Sequence, residues 1–331
     1  MLNPDAKLSS SVFDPKIERK STRDGFGKGS VEAGKADKDV VVLSADLKES
    51  TRAEWFEKEF PDRFIEVGVA EQNMATVAAG LAAVGKIPFI TSYAAFSPGR
   101  NYEQIRTTAA LNDVPVKVMG MHAGISVGPD GATHQMLEDL GMMRMLPNMI
   151  VLNPCDAEEG RKATVAAAKN GKPVYIRFGR ADAPVFTTAD TPFEIGKALI
   201  LWKSEKPKVA LIGSGTMSYN ALMAARSLES DGIGSIVLHL GSVKPIDRDA
   251  IIAAAKLTGR VVTVEEHQVA GGVGSAVAEV LAESYPVPMK FIGLQDTFGQ
   301  SGTPDELVEH YGLHPARIAE TVRQMPGVRT A

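Results

Sequence analysis

A carboxylate placed where a strand-like run turns into a helix-like one is the first feature that could do chemistry. In VGVAEQNM, Val67 to Met74, Glu71 closes an apolar run that begins at Phe64 and opens a segment of small residues. A buried turn tolerates a carboxylate only where something meets it. One reading is helix-start electrostatics, because free N–H groups favour negative charge in any first turn. The other is a general acid/base in a mostly apolar pocket that raises its pKa. The stretch alone leaves both open.

A second stretch, HAGISVGPDGATHQ from His122 to Gln135, sets two histidines and an aspartate among glycines directly after a strand-like run. Open α/β sheets bind ligands beyond the carboxyl ends of their strands, and loops there often carry function. The plain alternative is a Gly-rich turn, since PDG is an ordinary turn signal. The twelve-residue step from His122 to His134 matches no zinc pattern, and neither HExxH nor a cysteine cluster is present. In YAAFSPGR, Tyr93 and Phe96 at a strand end wall a flat heterocycle or fill a core. VALIGSGTMS lacks the third glycine of a dinucleotide fingerprint, with Ser218 in its place, and reads as a tight turn. VEEHQVAGGVGS, from Val264, ends a strand in charge; a solvated strand end accounts for it, with an interface or an ion as the alternative.

These stretches need elements to hold them. Strand-like runs at Asp39–Asp46, Phe64–Ala70, Ile87–Tyr93, Val114–Gly120, Met149–Pro154 and Pro173–Phe178 alternate with helix-like segments such as Gln72–Ala83, Tyr102–Leu111 and Asp156–Lys169. Continuous apolar runs suit strands covered on both faces, and the alternation predicts an α/β fold. A Pro/Thr/Asp-rich pause follows, and a second series begins with KVALIGSG, SIVLHL, RVVTVEE and MKFIGL. The expected layout is an N-terminal arm over 1–20, a mostly parallel doubly wound domain over 21–185, a linker at 186–191 and a smaller α/β domain over 192–331. The arm is expected to be ordered only if it docks on something.

The 331 residues carry a net charge of −4, which gives no basic field for nucleic acid. No apolar run approaches the roughly 18 residues of a membrane span. Cys155 is the only cysteine, so no internal disulfide forms, and a reducing cytoplasm is expected.

Read together, SADLKES, VGVAEQNM, PFITSYAAF, the His122–Gln135 loop with its continuation to Met149, VYIRFGR, VVTVEEH and DTFGQSGTPDELVEHYGL resemble the C-terminal half of transketolase, in that family's order. The resemblance implies a pyrimidine-binding domain and a C-terminal domain of a thiamine-diphosphate enzyme. It gives Glu71 the hydrogen bond to N1′ of the aminopyrimidine, places Phe96 and Tyr93 on its walls, and sets Asp46 near the cofactor at a subunit interface. Where a third aromatic is usual, Gly99 stands. Asp130 and His134 are implied to bind the hydroxyls of the sugar and of the intermediate formed from it, with Glu71 and His134 as the catalytic groups. His122, Ser50 and Arg180 are implied to take the terminal phosphate, with Arg177 close enough to be confused with Arg180. A further arginine of that site is expected on a partner.

The sequence contains no GDG, the motif on which the family holds Mg²⁺ and the diphosphate, so no metal ligand is expected on this chain. The resemblance therefore implies the C-terminal subunit of a split transketolase, with two copies each of this chain and of an N-terminal partner carrying GDG. Thiamine diphosphate would be shared between them and Mg²⁺ bound mainly by the partner. The substrates would be sugar phosphates, between which a two-carbon ketol unit passes. The β-subunit of a 2-oxo acid dehydrogenase, which shares the EEH pattern, and an idle scaffold are the alternatives.

Overall fold

The computed structural model describes residues 1–328, and the expected end of the second domain at 331 lies outside the described residues. A short antiparallel ribbon pairs Arg19–Ser21 (β1) with Asp182–Pro184 (β8). The first large sheet holds Val40–Ser44 (β2), Phe64–Glu66 (β3), Ile87–Tyr93 (β4), Lys117–Met121 (β5), Ile150–Leu152 (β6), Val174–Arg177 (β7) and Ser242–Lys244 (β12). Its order is β12-β6-β7-β5-β4-β2-β3, parallel throughout except for β12. The second sheet holds Leu199–Lys203 (β9), Val209–Gly213 (β10), Ser235–His239 (β11), Val261–Gln268 (β13) and Met289–Leu294 (β14). It runs β14-β13-β10-β11-β9, with only β9 antiparallel. These are the two α/β units expected from the sequence.

Strand β2 is buried at every position because helices cover both faces of its sheet. Side chains alternate across a strand, so Val42 packs with Phe26, Phe89 and Phe178, while Leu43 packs with Met74, Ala75 and Ala78 on the other side. On the Val42 side, helix Thr22–Ala36 lies tightly against helix Ala157–Ala168. A Cβ on Gly25 would run into the backbone of Ala157 and Arg161, and one on Gly29 into Thr164, so this approach requires glycine at both positions.

Three features depart from the sequence reading. The apolar run Phe64–Ala70 is strand only to Glu66; Gly68 turns the chain at φ 70° and leaves Val69 71% exposed. The VEEH strand end is not solvated: Glu265, Glu266 and His267 are all buried. Finally, β12 comes from the second half of the chain yet completes the first sheet. The N-terminal residues dock on the second domain, with Asn3 N donating to Leu201 O at 3.0 Å and Val12 buried in that domain's core. Residues Phe186 and Thr187 are tied to Asp156, whose carboxylate accepts from both backbone N–H groups at 2.9 and 2.7 Å. No described helix is long and apolar enough to cross a membrane.

Candidate active site

Glu71 is the first residue of helix Glu71–Ala83 and is 1% exposed. Its surroundings differ from the apolar pocket expected. Ser92 Oγ, near the end of β4, donates to Oε1 at 3.2 Å, and Arg100 Nη1 meets Oε2 at 2.6 Å. Asn101 Nδ2 donates to the Glu71 carbonyl at 3.0 Å. The Arg100 guanidinium also lies over the Phe96 ring, 4.7 Å from its centroid. Arg100 itself is exposed, and this pair closes the carboxylate off from solvent.

Tyr93 ends β4, and the chain turns so that Phe96 stacks beside it at 6.0 Å with 20° between the planes. The His122 ring stacks on Tyr93 at 4.0 Å, and His134 meets Tyr93 and Phe96 edge-on at 6.1 and 5.5 Å. The aromatic pair and the His122–Gln135 loop are thus one cluster. At position 99 a Cβ would collide with the carbonyl of Ala95, so the local backbone leaves no room for a third ring.

His122 follows β5 in a left-handed conformation, φ 52°, which is uncommon for a non-glycine residue and marks a position held by its neighbours. Arg23, in the first turn of helix Thr22–Ala36, reaches His122 Nε2 at 2.7 Å and the Ser50 carbonyl at 2.8 Å. Because arginine only donates, His122 Nε2 accepts and Nδ1 carries the proton. Burial, followed by the charges of Arg23 and Arg180, pushes the His122 pKa down to about 3, so the ring is neutral. Two buried donors remain unpaired: His122 Nδ1 and Arg23 Nε. Burial, with Arg52 and Arg180 nearby, also lowers the Arg23 pKa from its ordinary value.

Arg180 Nη1 donates to Val127 O at 2.8 Å and lies 3.6 Å from Asp130, so it stands beside the loop. Arg177 is engaged elsewhere, buried against Asp139, Met136 O and Glu266 O. Asp130 is exposed at the loop tip, and Thr133 Oγ1 meets His134 Nδ1 at 2.9 Å. Asp46 is exposed after β2 at φ 60°, its N–H donating to Glu66 Oε1 at 2.8 Å.

Sequence reasoning missed Arg23, Ser92 and Arg100. Arg23 is a further arginine beside His122 and Ser50 on this chain, which the sequence reading did not name. Its signal was available: an arginine in the first turn of a helix opposes the dipole and needs another reason to be there. A group of metal-ligand types, Cys155, Glu159 and His239, lies together at the join of the domains. There His239 Nε2 meets Glu159 Oε2 at 2.8 Å and Ser218 Oγ meets Nδ1 at 2.6 Å, so these buried groups already satisfy one another within the protein. A cavity of about 280 Å³ between the domains, lined by Arg19, Thr216, Tyr219, Asp305 and His314 among others, includes none of the predicted site residues. The cluster around Glu71 and Tyr93 instead lies along the carboxyl ends of β2, β4 and β5.

A buried carboxylate at a helix start beside stacked rings, on a parallel sheet joined to a smaller α/β unit, defines a pyrimidine-binding domain with its C-terminal companion. Residues 18–185 match the transketolase pyrimidine binding domain, and residues 196–318 the transketolase C-terminal domain. The chain belongs to the transketolase family, whose members depend on thiamine diphosphate. It is 42% identical over 308 residues to a protein of Methanocaldococcus jannaschii provisionally named a transketolase C-terminal section, covering 92% of this chain and 96% of that one. It is 39% identical over 313 residues to a 6-deoxy-6-sulfo-D-fructose transketolase subunit of Clostridium sp., covering 95% and 97%. Among solved structures, a split-gene transketolase described as an inactive β4 tetramer superposes with a TM-score of 0.86 at 45% identity, covering 94% and 99%.

Proposed function

We propose that this chain is the C-terminal subunit of a split transketolase, transferring a two-carbon ketol unit from a ketose phosphate to an aldose phosphate. The observation that carries this reading is the pair of unpaired buried donors, Arg23 Nε and His122 Nδ1, set beside Ser50 and adjoining the Tyr93–Phe96 wall. Buried donors left unmatched are costly, and an anionic oxygen group would satisfy them. A phosphate there would put the rest of an extended sugar along Asp130 and His134.

The residues fit thiamine diphosphate on the pyrimidine side. Glu71 offers a buried carboxylate and Phe96 and Tyr93 offer ring faces. Arg100, stacked on Phe96 and paired with Glu71, engages two of the groups that would take the aminopyrimidine, and it would have to give up that pairing for the ring to bind there. When bound, the cofactor supplies a nucleophilic ring carbon. Glu71 holds and exchanges the proton at N1′, Tyr93 and Phe96 orient the ring, and His134 and Asp130 hold the hydroxyls and move protons there. His122, Ser50, Arg180 and Arg23 anchor the phosphate.

The diphosphate and Mg²⁺ would be held mainly by an N-terminal partner with a GDG motif, two copies of each chain making the assembly. Asp46, exposed near the site, would face that interface. A cytoplasmic setting suits the single buried Cys155, whose thiol burial pushes well above its usual pKa. The family match favours this reading over the β-subunit of a 2-oxo acid dehydrogenase. The test is transfer by the two-chain complex with phosphorylated and unphosphorylated acceptors. A strong preference for phosphate, narrowed by His122→Ala, is expected; equal use of both acceptors would contradict the phosphate site.

A further inference from the structure

The loop that carries Asp130 and His134 does not rest on its own domain alone. Gln135, 5% exposed, sends its side-chain amide into a ring of carbonyls: Ile125 O at 3.1 Å, Gln300 O at 2.9 Å and, more weakly, Gly128 O at 3.4 Å. Three acceptors around one atom fix it as the nitrogen, since an amide oxygen there would be repelled by all three. Two of those carbonyls belong to the loop itself, and Gln300 belongs to the second domain.

The segment 295–303 that supplies Gln300 is clamped on several sides. Gln268, at the end of β13, donates through Nε2 to Thr297 O at 2.7 Å and accepts from Asp296 N at 3.1 Å. Tyr311 Oη donates to Phe298 O at 3.2 Å, and a capping box between Thr303 and Glu306 closes the far end. The segment is largely exposed, but at Gly299 and Gly302 it approaches the loop closely. A Cβ on Gly299 would collide with Gln135 Oε1, and one on Gly128 would press within 3.2 Å of Gly302 O. The second domain also holds the start of the loop, where buried Glu266 Oε1 accepts from Ser126 N at 2.6 Å.

We propose that Gln135 is a positioning residue: together with the 295–303 segment it makes the C-terminal domain a brace that fixes Asp130 and His134 against the sugar. This assigns a catalytic purpose to a domain that carries none of the reacting groups. It rests on the function proposed above. Gln135 touches neither cofactor nor substrate and acts through the geometry of its loop, where displacements of about 1 Å cost up to roughly a hundredfold in rate.

The test uses the assembled two-chain complex with Gln135→Met, which keeps the volume and removes the donors, and with Tyr311→Phe, a milder change on the exposed side of the brace. Donor kcat/KM and cofactor C2–H exchange are measured for each, with the melting temperature of the complex. The expected result is a fall of about ten- to a hundredfold in donor kcat/KM for Gln135→Met and a severalfold fall for Tyr311→Phe, with C2–H exchange, which depends on Glu71, unchanged. Unchanged donor kcat/KM in both variants overturns the proposal. So does a parallel loss of C2–H exchange, which marks a purely structural role. If Gln135→Met fails to assemble, Tyr311→Phe decides between the same outcomes. Absence of transfer by the unsubstituted complex is a separate result, and sinks the function before the brace.

Discussion

At the scale of single residues, Arg100 pairs with Glu71 and lies over Phe96, the two groups proposed to take the cofactor ring. Arg100 stabilises a buried carboxylate in the free chain; losing a hydrogen bond to a charged group costs about 1.5–3 kcal/mol, and less where one partner is half exposed. Arg100→Ala should therefore destabilise the isolated chain modestly yet tighten thiamine diphosphate binding in the assembled complex, read by calorimetric titration. Weaker cofactor binding in that variant would mean that Arg100 helps to hold the cofactor. Arg23→Ala should raise KM for a phosphorylated donor by about ten- to a hundredfold and leave an unphosphorylated analogue almost unaffected. Glu71 stood out in the sequence because a carboxylate between two apolar stretches is locally costly. Arg23 and Arg100 did not, because a surface-type residue reveals its role only when the fold delivers it to a partner distant in sequence: Arg23 to His122, 99 residues away, and Arg100 to Glu71, 29 residues away.

At the scale of elements, β13 carries buried titratable groups into the join of the two domains. Glu265 accepts from Val273 N and Gly274 N at the start of helix Val273–Ser284, yet burial raises its pKa to about 8. Burial lowers the His267 pKa to about 4. The raised Glu265 value contributes stability that is full below its unfolded pKa near 4.5 and is lost as pH rises through about 8. The depressed His267 value contributes stability that is present above 6.5 and lost as pH falls through about 4. Between 4.5 and 6.5 the two slopes oppose each other. Lys117, its pKa lowered by burial to about 7, adds an opposite slope above pH 7, so the comparison is between variants. The urea midpoint at pH 8 relative to pH 6.5 should be higher for Glu265→Gln than for the unsubstituted chain, and an unchanged difference would show that Glu265 ionises at its ordinary pKa. Strands β4 and β14 could be read from the sequence to the residue, because each is a compact apolar run bounded by turn residues. The end of β3 was misread, since Val67–Ala70 continues the apolar run and only Gly68 marks the turn. The burial of VEEH was hidden because it depends on Arg177 and Ser126, which lie on the other domain. Strand β12 was invisible: three residues carry no periodicity, and its pairing with β6 is purely tertiary.

At the scale of the whole molecule, the two domains are locked together while the chemical face remains open. Glu159 of the first domain meets His239 of the second, Asn153 Nδ2 meets Ser214 Oγ at 3.0 Å, and β12 crosses from one sheet to the other. The two units and their order were legible because strand–helix alternation repeats on either side of a proline-rich pause; their mutual locking was not, since it rests on isolated side chains. Near the site, Val69 is 71% exposed beside Glu71, an apolar residue at the place where a partner would close the cleft. The account stands on Glu71 acting on a cofactor that another polypeptide grips. The direct measurement is deuterium exchange at C2 of thiamine diphosphate, followed by NMR with Mg²⁺ present, for this chain alone, for the GDG-bearing partner alone, and for their mixture with either unsubstituted chain or Glu71→Ala. Fast exchange only in the mixture containing Glu71 is predicted. Fast exchange by either chain alone, or an equal rate with Glu71→Ala, would contradict it.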